Sequence, residues 1–237
     1  MSEHSAQFYL GVHGTSQRWW DAAVPLCVSR NRMPKRKVPQ ARAPWILDSG
    51  AFTELRRHGR YTFTAEQYAD DVQRFALPGH LQWVAPMDWM CEPFMLDRTG
   101  LSVDQHIGRT VDNYIELRAV LGTLVIPVVQ GYTPRDYDRC IARYHREGVN
   151  LGEHHTVGLG SVCRRSRLHE TIRLVRYLSD YRIRWHGFGL KGTTFNALRG
   201  LLASADSMAW SYAARRNGGN ANGLEDALSW RSKLLAV

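Results

Sequence analysis

Six short segments contain the residue types needed to hold a purine and break its bond to a sugar. They are Leu47-Asp48-Ser49-Gly50-Ala51-Phe52, Pro86-Met87-Asp88-Trp89, Val129-Gln130-Gly131, Gly158-Leu159-Gly160-Ser161, His186-Gly187-Phe188-Gly189 and Ala205-Asp206-Ser207-Met208-Ala209-Trp210. A carboxylate is the usual nucleophile when an oxocarbenium-like centre is captured as a covalent intermediate with retention. Asp206, in the small-residue run Ser204-Ala205-Asp206-Ser207, is placed to be one. An isolated Asp is more often a helix cap or a salt-bridged turn, and an Asp-Ser-Gly turn such as Asp48-Ser49-Gly50 is common after a strand; the two together are more informative than either. A carboxylate at Asp88 can accept two donors from a guanine edge, and the Gln130 amide, donor and acceptor at once, complements it.

The remaining members of these segments are supporting residues. Glycines at 158, 160, 187 and 189 let the backbone approach a flat ring and offer their amides to it, although any one of them is more often simply a tight turn. Ser49, Gly50, Gly131, Gly158, Gly160 and Gly187 are therefore placed with Asp88 and Gln130 as substrate-binding candidates. Phe52 and Trp89 are aromatic enough to stack on a base, Phe52 being the better placed. His186 is the histidine at a strand end and joins the pocket set; His13, His154 and His155 fit structural roles.

Such distant segments share one pocket if each ends a strand of a parallel barrel, where the carboxyl ends converge on one face. Apolar, β-rich runs at 8–12, 45–47, 82–86, 124–129, 156–159, 183–186 and 207–210 alternate with amphipathic stretches at 65–76, 102–121, 134–147, 167–180, 194–202 and 223–235. The alternation predicts parallel βαβ units. Thr64 with Gln67 forms a capping-box signal, and Thr133-Pro134 opens a helix with proline in its first turn. Seven strands are legible where a closed barrel needs eight, so the expected fold is α/β, an irregular, compact (β/α)8 TIM-like barrel rather than a doubly wound sheet. The 237 residues and 44% hydrophobic content suit one domain. The run 217–223 reads as a flexible loop before the last helix.

Thirty-one Lys and Arg against 22 Asp and Glu leave a net charge of +9, which favours a polyanionic partner held through phosphate contacts. The excess is uneven. Arg30, Arg32, Lys35, Arg36, Lys37 and Arg42 share one acid-free stretch, either a solvated loop or a phosphate grip, and Arg164, Arg165 and Arg167 follow a strand-end motif directly. The four cysteines are dispersed with no C-x-x-C pair, which argues against a zinc knuckle or a disulfide framework and for reduced thiols. No metal or protein-bound cofactor is expected. No apolar run of about 18 residues or more suggests a membrane span, and Met1-Ser2-Glu3-His4 lacks a signal pattern, so a soluble intracellular protein is expected.

The ordered series Asp48-Ser49-Gly50-Ala51-Phe52, Asp88, Gln130-Gly131, Gly158-Leu159-Gly160 and Asp206 resembles the guanine transglycosylases, barrel enzymes that exchange guanine for a 7-deazaguanine. The strings Ala85-Pro86-Met87-Asp88-Trp89-Met90-Cys91-Glu92-Pro93, Gly158-Leu159-Gly160-Ser161-Val162-Cys163-Arg164-Arg165 and Ser204-Ala205-Asp206-Ser207-Met208-Ala209-Trp210-Ser211 are similar to the DNA-acting branch, the DpdA deazapurine-modification proteins. Each motif is weak alone; their shared order, over nearly the whole chain, is specific.

The resemblance implies that Asp206 is the nucleophile at C1′ and Asp48 the acid/base for the purine proton. It further implies that Asp88, Gln130 and the Gly160 amide read the base while Phe52 stacks on it. The substrates it implies are a guanine in DNA, flipped out or single-stranded, and a free 7-deazaguanine, 7-cyano-7-deazaguanine in particular, in the cytoplasm of a bacterium or a phage-infected one. A partner that opens the duplex is compatible with this picture. Two departures set the chain apart from the tRNA-acting enzymes: no Cys and His cluster after Cys163 supplies their zinc site, and Ala51 and Thr53 flank the aromatic where those enzymes usually carry Gly and Gln. A tRNA guanine exchanger without zinc and a non-catalytic nucleic-acid-binding barrel stand as the alternatives.

Overall fold

The computed structural model of the protein describes residues 6–35, 40–77, 79–165 and 167–236. The strands are β1 (Gln7–Gly11), β2 (Leu26–Ser29), β3 (Trp45–Asp48), β4 (Leu81–Val84), β5 (Val128–Val129), β6 (Val157–Leu159), β7 (Trp185–Gly187) and β8 (Ser204–Ser207). The helices are α1 (Gln17–Asp21), α2 (Ala51–His58), α3 (Ala65–Ala76), α4 (Pro93–Thr99), α5 (Val103–Leu121), α6 (Pro134–Arg146), α7 (Leu168–Ser179), α8 (Gly192–Leu198), α9 (Ala209–Arg216) and α10 (Leu224–Leu235). All eight strands are parallel in one sheet ordered β4-β3-β2-β1-β8-β7-β6-β5. The two ends of that row meet at a parallel bridge between Val84 and Val125, where Ile126 N–H donates to the Val84 carbonyl over 3.1 Å. The fold is an irregular (β/α)8-like barrel, as the alternating sequence pattern predicts.

The eighth strand is β2, which sequence reading passes over. Its four residues, Leu26-Cys27-Val28-Ser29, are a short apolar run that leads directly into the basic stretch, so periodicity alone does not separate it from a loop. The β2 to β3 connection is also where the barrel is irregular: among the described residues it contains a 3₁₀ turn, Arg30–Arg32, and no α-helix. The last strand is corrected as well. It spans Ser204–Ser207 rather than 207–210, because Ser207 Oγ takes the Ala209 N–H over 3.1 Å and Ala209 onward turns into α9. The predicted caps are present. Thr64 and Gln67 form a reciprocal capping box on α3, and Thr133 caps α6 with Pro134 in its first turn.

The seam between β4 and β5 is held by side chains as much as by ladder bonds. Pro127 has no N–H and β5 is two residues long, so pairing with β4 stops after Ile126. Val128 then turns its N–H and C=O to the same side with no strand to meet them. The Tyr144 hydroxyl on α6 accepts the Val128 N–H at 3.1 Å and donates to the Val128 carbonyl at 2.9 Å. Cys140 Sγ accepts the next such amide, that of Gln130, at 3.4 Å. Helix α6 thus completes the backbone bonding that positions Gln130.

Outward residues of the strands, such as Leu10, Val28, Trp45, Leu47, Val129 and Trp185, pack under the helices in the main core. No described helix is long and apolar enough to cross a membrane. Because Tyr144→Phe strips both partners from a buried peptide group, it should lower unfolding free energy by about 1–3 kcal/mol in urea denaturation, with little change in the helical circular dichroism.

Candidate active site

Inside the barrel the side-chain period of two sorts residues into layers. Tyr9, Cys27, Ile46, Trp83 and Ile126 form an inner cluster with Phe188 packed on it. His186 lies at this level, its ring centre 4.7 Å from both Trp83 and Phe188 and 6.1 Å from Tyr9. Two residues further along their strands stand Gly11, Ser29 and Asp48, with Gly160 and Asp206 at the matching level of β6 and β8. All five line a cavity of about 200 Å³ above the cluster. Glycine or short polar side chains at this level leave the room that the layer below fills. Asp88, Gln130, Phe52, Met90 and Met208 are among the residues that complete the wall.

Asp206 is the third residue of β8 and is buried. Its Oδ1 accepts the Gly189 N–H at 2.9 Å and lies 3.3 Å from His186 Nε2, whose Nδ1 is 2.8 Å from Ser204 Oγ. Both ring nitrogens of the histidine are thus engaged, one by Ser204 and one by the carboxylate. His186 therefore orients Asp206 from below instead of lining the cavity. Gly189 aims its amide from a left-handed turn with φ of 59°, where a side chain is strained and a Cβ would stand 2.9 Å from Cys163 Cβ. The Cys27 thiol also bonds Asp206, and burial together with the Asp206 and Asp48 charges keeps it protonated.

Asp48 closes β3, opposite Ser29 of β2 in register. Its Oδ2 accepts the Gly50 N–H at 3.1 Å, and the Ser29 side chain bonds it too. Burial, reinforced by the charge of Asp206, pushes its carboxyl up to about 6 against these bonds. Gly50, with φ of 83°, caps α2, and a Cβ there would run into Asn31. Its amide thus serves Asp48.

Asp88 follows β4 and is held on both oxygens. Ser49 Oγ donates to Oδ1 at 3.3 Å, Gln130 Nε2 donates to Oδ2, and the Tyr61 hydroxyl donates to the Asp88 carbonyl at 2.8 Å. Burial, then the nearby Asp48, raises its carboxyl to about 7. Behind Gln130 stands Ser161, whose single hydroxyl hydrogen is donated to Gln130 Oε1 at 2.7 Å. The same Ser161 oxygen takes the Cys91 N–H at 2.8 Å and lies 3.0 Å from Glu92 Oε2. One hydrogen cannot serve both Gln130 and Glu92, so the Glu92 contact needs its proton on the carboxyl. Burial shifts Glu92 in that direction, and its other oxygen has no partner. Glu92 thus braces Ser161, which fixes the amide of Gln130, which in turn points its NH₂ at Asp88.

Several expected contacts differ. The Gly160 N–H donates to the Val129 carbonyl at 3.0 Å, continuing the ladder of β6, so that amide is not free to read a base. Gly160 contributes empty space: a Cβ would collide with the Gln130 side chain. Gly131 lies against the first turn of α6, where a Cβ would stand 2.7 Å from Tyr137 N, and Gly158 leaves room for Phe188 at 2.5 Å. Gly187 is paired in β7 and packed on Leu190. Ser49 supports Asp88 from behind. Phe52 lines the cavity, with the Arg164 guanidinium 4.0 Å from its ring centre. Trp89 is buried elsewhere, among Tyr61, His106 and Arg109.

The basic residues divide in the same way. Arg30 is spent on Asp71 at 2.6 Å and on the Phe63 ring at 3.6 Å. Arg165 donates to the Ser161 and Tyr132 carbonyls at 3.2 and 2.6 Å. Arg42 pairs with Asp21 at 3.0 Å just ahead of β3, at the end of the barrel opposite the cavity. Arg167 precedes α7 beside Glu170, and Arg32 and Lys35 are exposed along the β2 to β3 connection. Arg36 and Lys37 lie outside the described residues. Of the seven described, Arg164 stands beside the cavity.

A barrel whose cavity gathers Asp48, Asp88, Gln130 and Asp206 is matched over residues 1–236 by the family model of DpdA, DeoxyPurine in DNA protein A. The chain belongs to the DpdA family. Comparison with curated proteins gives no match. Membership in DpdA implies a transglycosylase with DNA as its substrate. Within this DpdA site, motif reading misses Gly11, Cys27 and Ser29 altogether, gives no role to Ser161 and Met208, and offers the Gly189 amide to a ring where it is in fact bonded to Asp206. The first three follow from stepping by two along β1 and β2, a signal lost once β2 is read as loop.

Since the like charge of Asp206 raises Asp48, and that of Asp48 raises Asp88, Asp206→Asn should lower the Asp48 carboxyl below about 6. Asp48→Asn should likewise lower Asp88 below about 7. Carboxyl-carbon NMR titration of each variant reads both shifts.

Proposed function

We propose that the protein exchanges guanine in DNA for a 7-deazaguanine base through a covalent Asp206–deoxyribosyl ester. The observation that carries this reading is the convergence of Asp206, Asp48, Asp88 and Gln130 on one base-sized cavity in a chain of the DpdA family. In the first step an Asp206 oxygen attacks C1′, the C1′–N9 bond breaks, and Asp48 gives its proton to the departing guanine. In the second the incoming base loses its N9 proton to Asp48, its nitrogen attacks C1′, and the ester bond returns its electrons to Asp206. Atoms and charge balance over the cycle, and Asp48 ends protonated as it began. A carboxyl near 6 suits a group that must give and take a proton near neutrality.

Asp88 reads the N1–H and exocyclic amine of the base, Gln130 its carbonyl edge, and Phe52 covers its face. Ionised Asp88 has acceptor sites left beyond those taken by Ser49 and Gln130. The incoming base is 7-cyano-7-deazaguanine by family resemblance. The chain acts as one barrel domain in the bacterial or phage-infected cytoplasm, without a bound cofactor, on a guanine flipped out or presented single-stranded, with or without a partner that opens the duplex.

Purified protein incubated with 7-cyano-7-deazaguanine and either DNA or unmodified tRNA should yield the modified deoxynucleoside by mass spectrometry. Asp206→Ala should abolish it, and Asp48→Asn should slow it by about 10²–10⁴-fold. Modification of tRNA alone would overturn the DNA assignment.

Base binding should also depend on pH. Protonated Asp88 loses an acceptor that the base needs, so affinity should fall about tenfold per pH unit well below 7 and level off above it. Calorimetry across pH 5.5–8, about the window set by that carboxyl, should find proton release on binding at the acid end. Asp88→Asn should bind weakly with a flat profile.

A further inference from the structure

Asp206 stands at the junction of two spaces. An open groove of about 550 Å³ shares Cys163, Gly189, Asp206 and Met208 with the base-sized cavity. It then continues past Arg164, Lys191, Ser207 and Tyr212. Asp206 is the sole acidic residue on its wall. Arg164 and Lys191 are exposed and have no ion pair among the described residues, the Lys191 ammonium meeting a protein carbonyl at 3.4 Å, that of Arg165. Tyr212, on α9, is 61% exposed, with Arg216 5.9 Å from its ring centre.

This geometry has a stereochemical consequence. A base occupying the smaller cavity, with C1′ at the Asp206 carboxylate, leaves no room there for its sugar and two phosphates. They must continue into the space on the other side of Asp206, and that space is cationic. Resting on the exchange reading above, we infer that the groove binds the sugar-phosphate strand of the displaced nucleotide. Lys191 and Arg164 contact the phosphates flanking the target guanine, and Tyr212 stacks on the neighbouring base. Stacking of this kind is indifferent to base identity and adds to backbone contacts.

The test is fluorescence anisotropy with a labelled single-stranded oligodeoxynucleotide carrying one guanine, over a salt series. Lys191→Ala should weaken binding and reduce the slope of log Kd against log salt by about 0.7, one phosphate contact on a single strand. Tyr212→Ala should weaken binding about fivefold to a hundredfold, and Tyr212→Phe should restore it. Arg146→Ala, the same charge change at the end of α6, should leave both quantities at the wild-type values. Both side chains are exposed, so neither substitution removes core packing, and thermal melts check this. Wild-type binding and slope in both Lys191→Ala and Tyr212→Ala, or no oligonucleotide binding by the wild type, overturns the groove. The exchange assay separates this from the catalytic reading. Binding that depends on Lys191 and Tyr212 without any exchange keeps the groove and refutes the chemistry; Asp206-dependent exchange with indifferent binding refutes the groove alone.

Discussion

Three carboxylates share one poorly solvated cavity, and the rest of the site is arranged around that electrostatic cost. Like charges in a region of low dielectric raise one another's affinity for protons. Asp48 and Asp88 both move up, to about 6 and about 7. What limits the shift is a donor set assigned to each of the two, Gly50 and Ser29 to Asp48 and Ser49 and Gln130 to Asp88; Asp206 has its own partners in Gly189 and His186. None of these donors comes from a lysine or an arginine. A lysine or arginine placed among the carboxylates would hold them ionised and remove the one property an acid/base group needs here, a proton it can exchange near neutrality.

The same economy governs the wall opposite Asp206. Gln130 is symmetric in outline but not in hydrogen bonding, and a reversed amide would present a carbonyl to a carboxylate. Ser161 prevents that by donating to the oxygen end, and the buried Glu92 braces Ser161 from its other side. Further out, α6 completes the bonding of a strand that its own neighbour leaves unpaired, and so the position of Gln130 rests on Tyr144 and Cys140. Irregularity in the barrel is concentrated at two connections, the β4 to β5 seam and the link after β2, whose described residues include no α-helix, and both border the cavity.

Much of this was legible from residue order. Capping boxes and proline positions located α3 and α6 because those signals are local. The segments with Asp48, Asp88, Gln130 and Asp206 were recognisable because each polar residue interrupts or follows an apolar run. Less legible were the destinations of side chains. Arg30 and Arg165 look like phosphate ligands in a basic stretch, yet each finds partners about thirty to forty residues away in sequence. The Gly160 amide appears available until β6 is paired with β5. Trp89 and Phe52 are equivalent aromatics by type, and packing alone sends one to a core and the other to the cavity.

What the sequence determined by itself was therefore the chemistry and its order along the chain: alternating elements, the carboxylates that end or follow strands, the excess of positive charge, and a family assignment built on shared motif order. What only the tertiary structure decided was which groups remain free to act. Every backbone amide and every guanidinium is a potential donor in the sequence. Closing a parallel sheet commits most of them to one another, because a buried polar group left unpaired costs more than the contact it would otherwise make with a substrate.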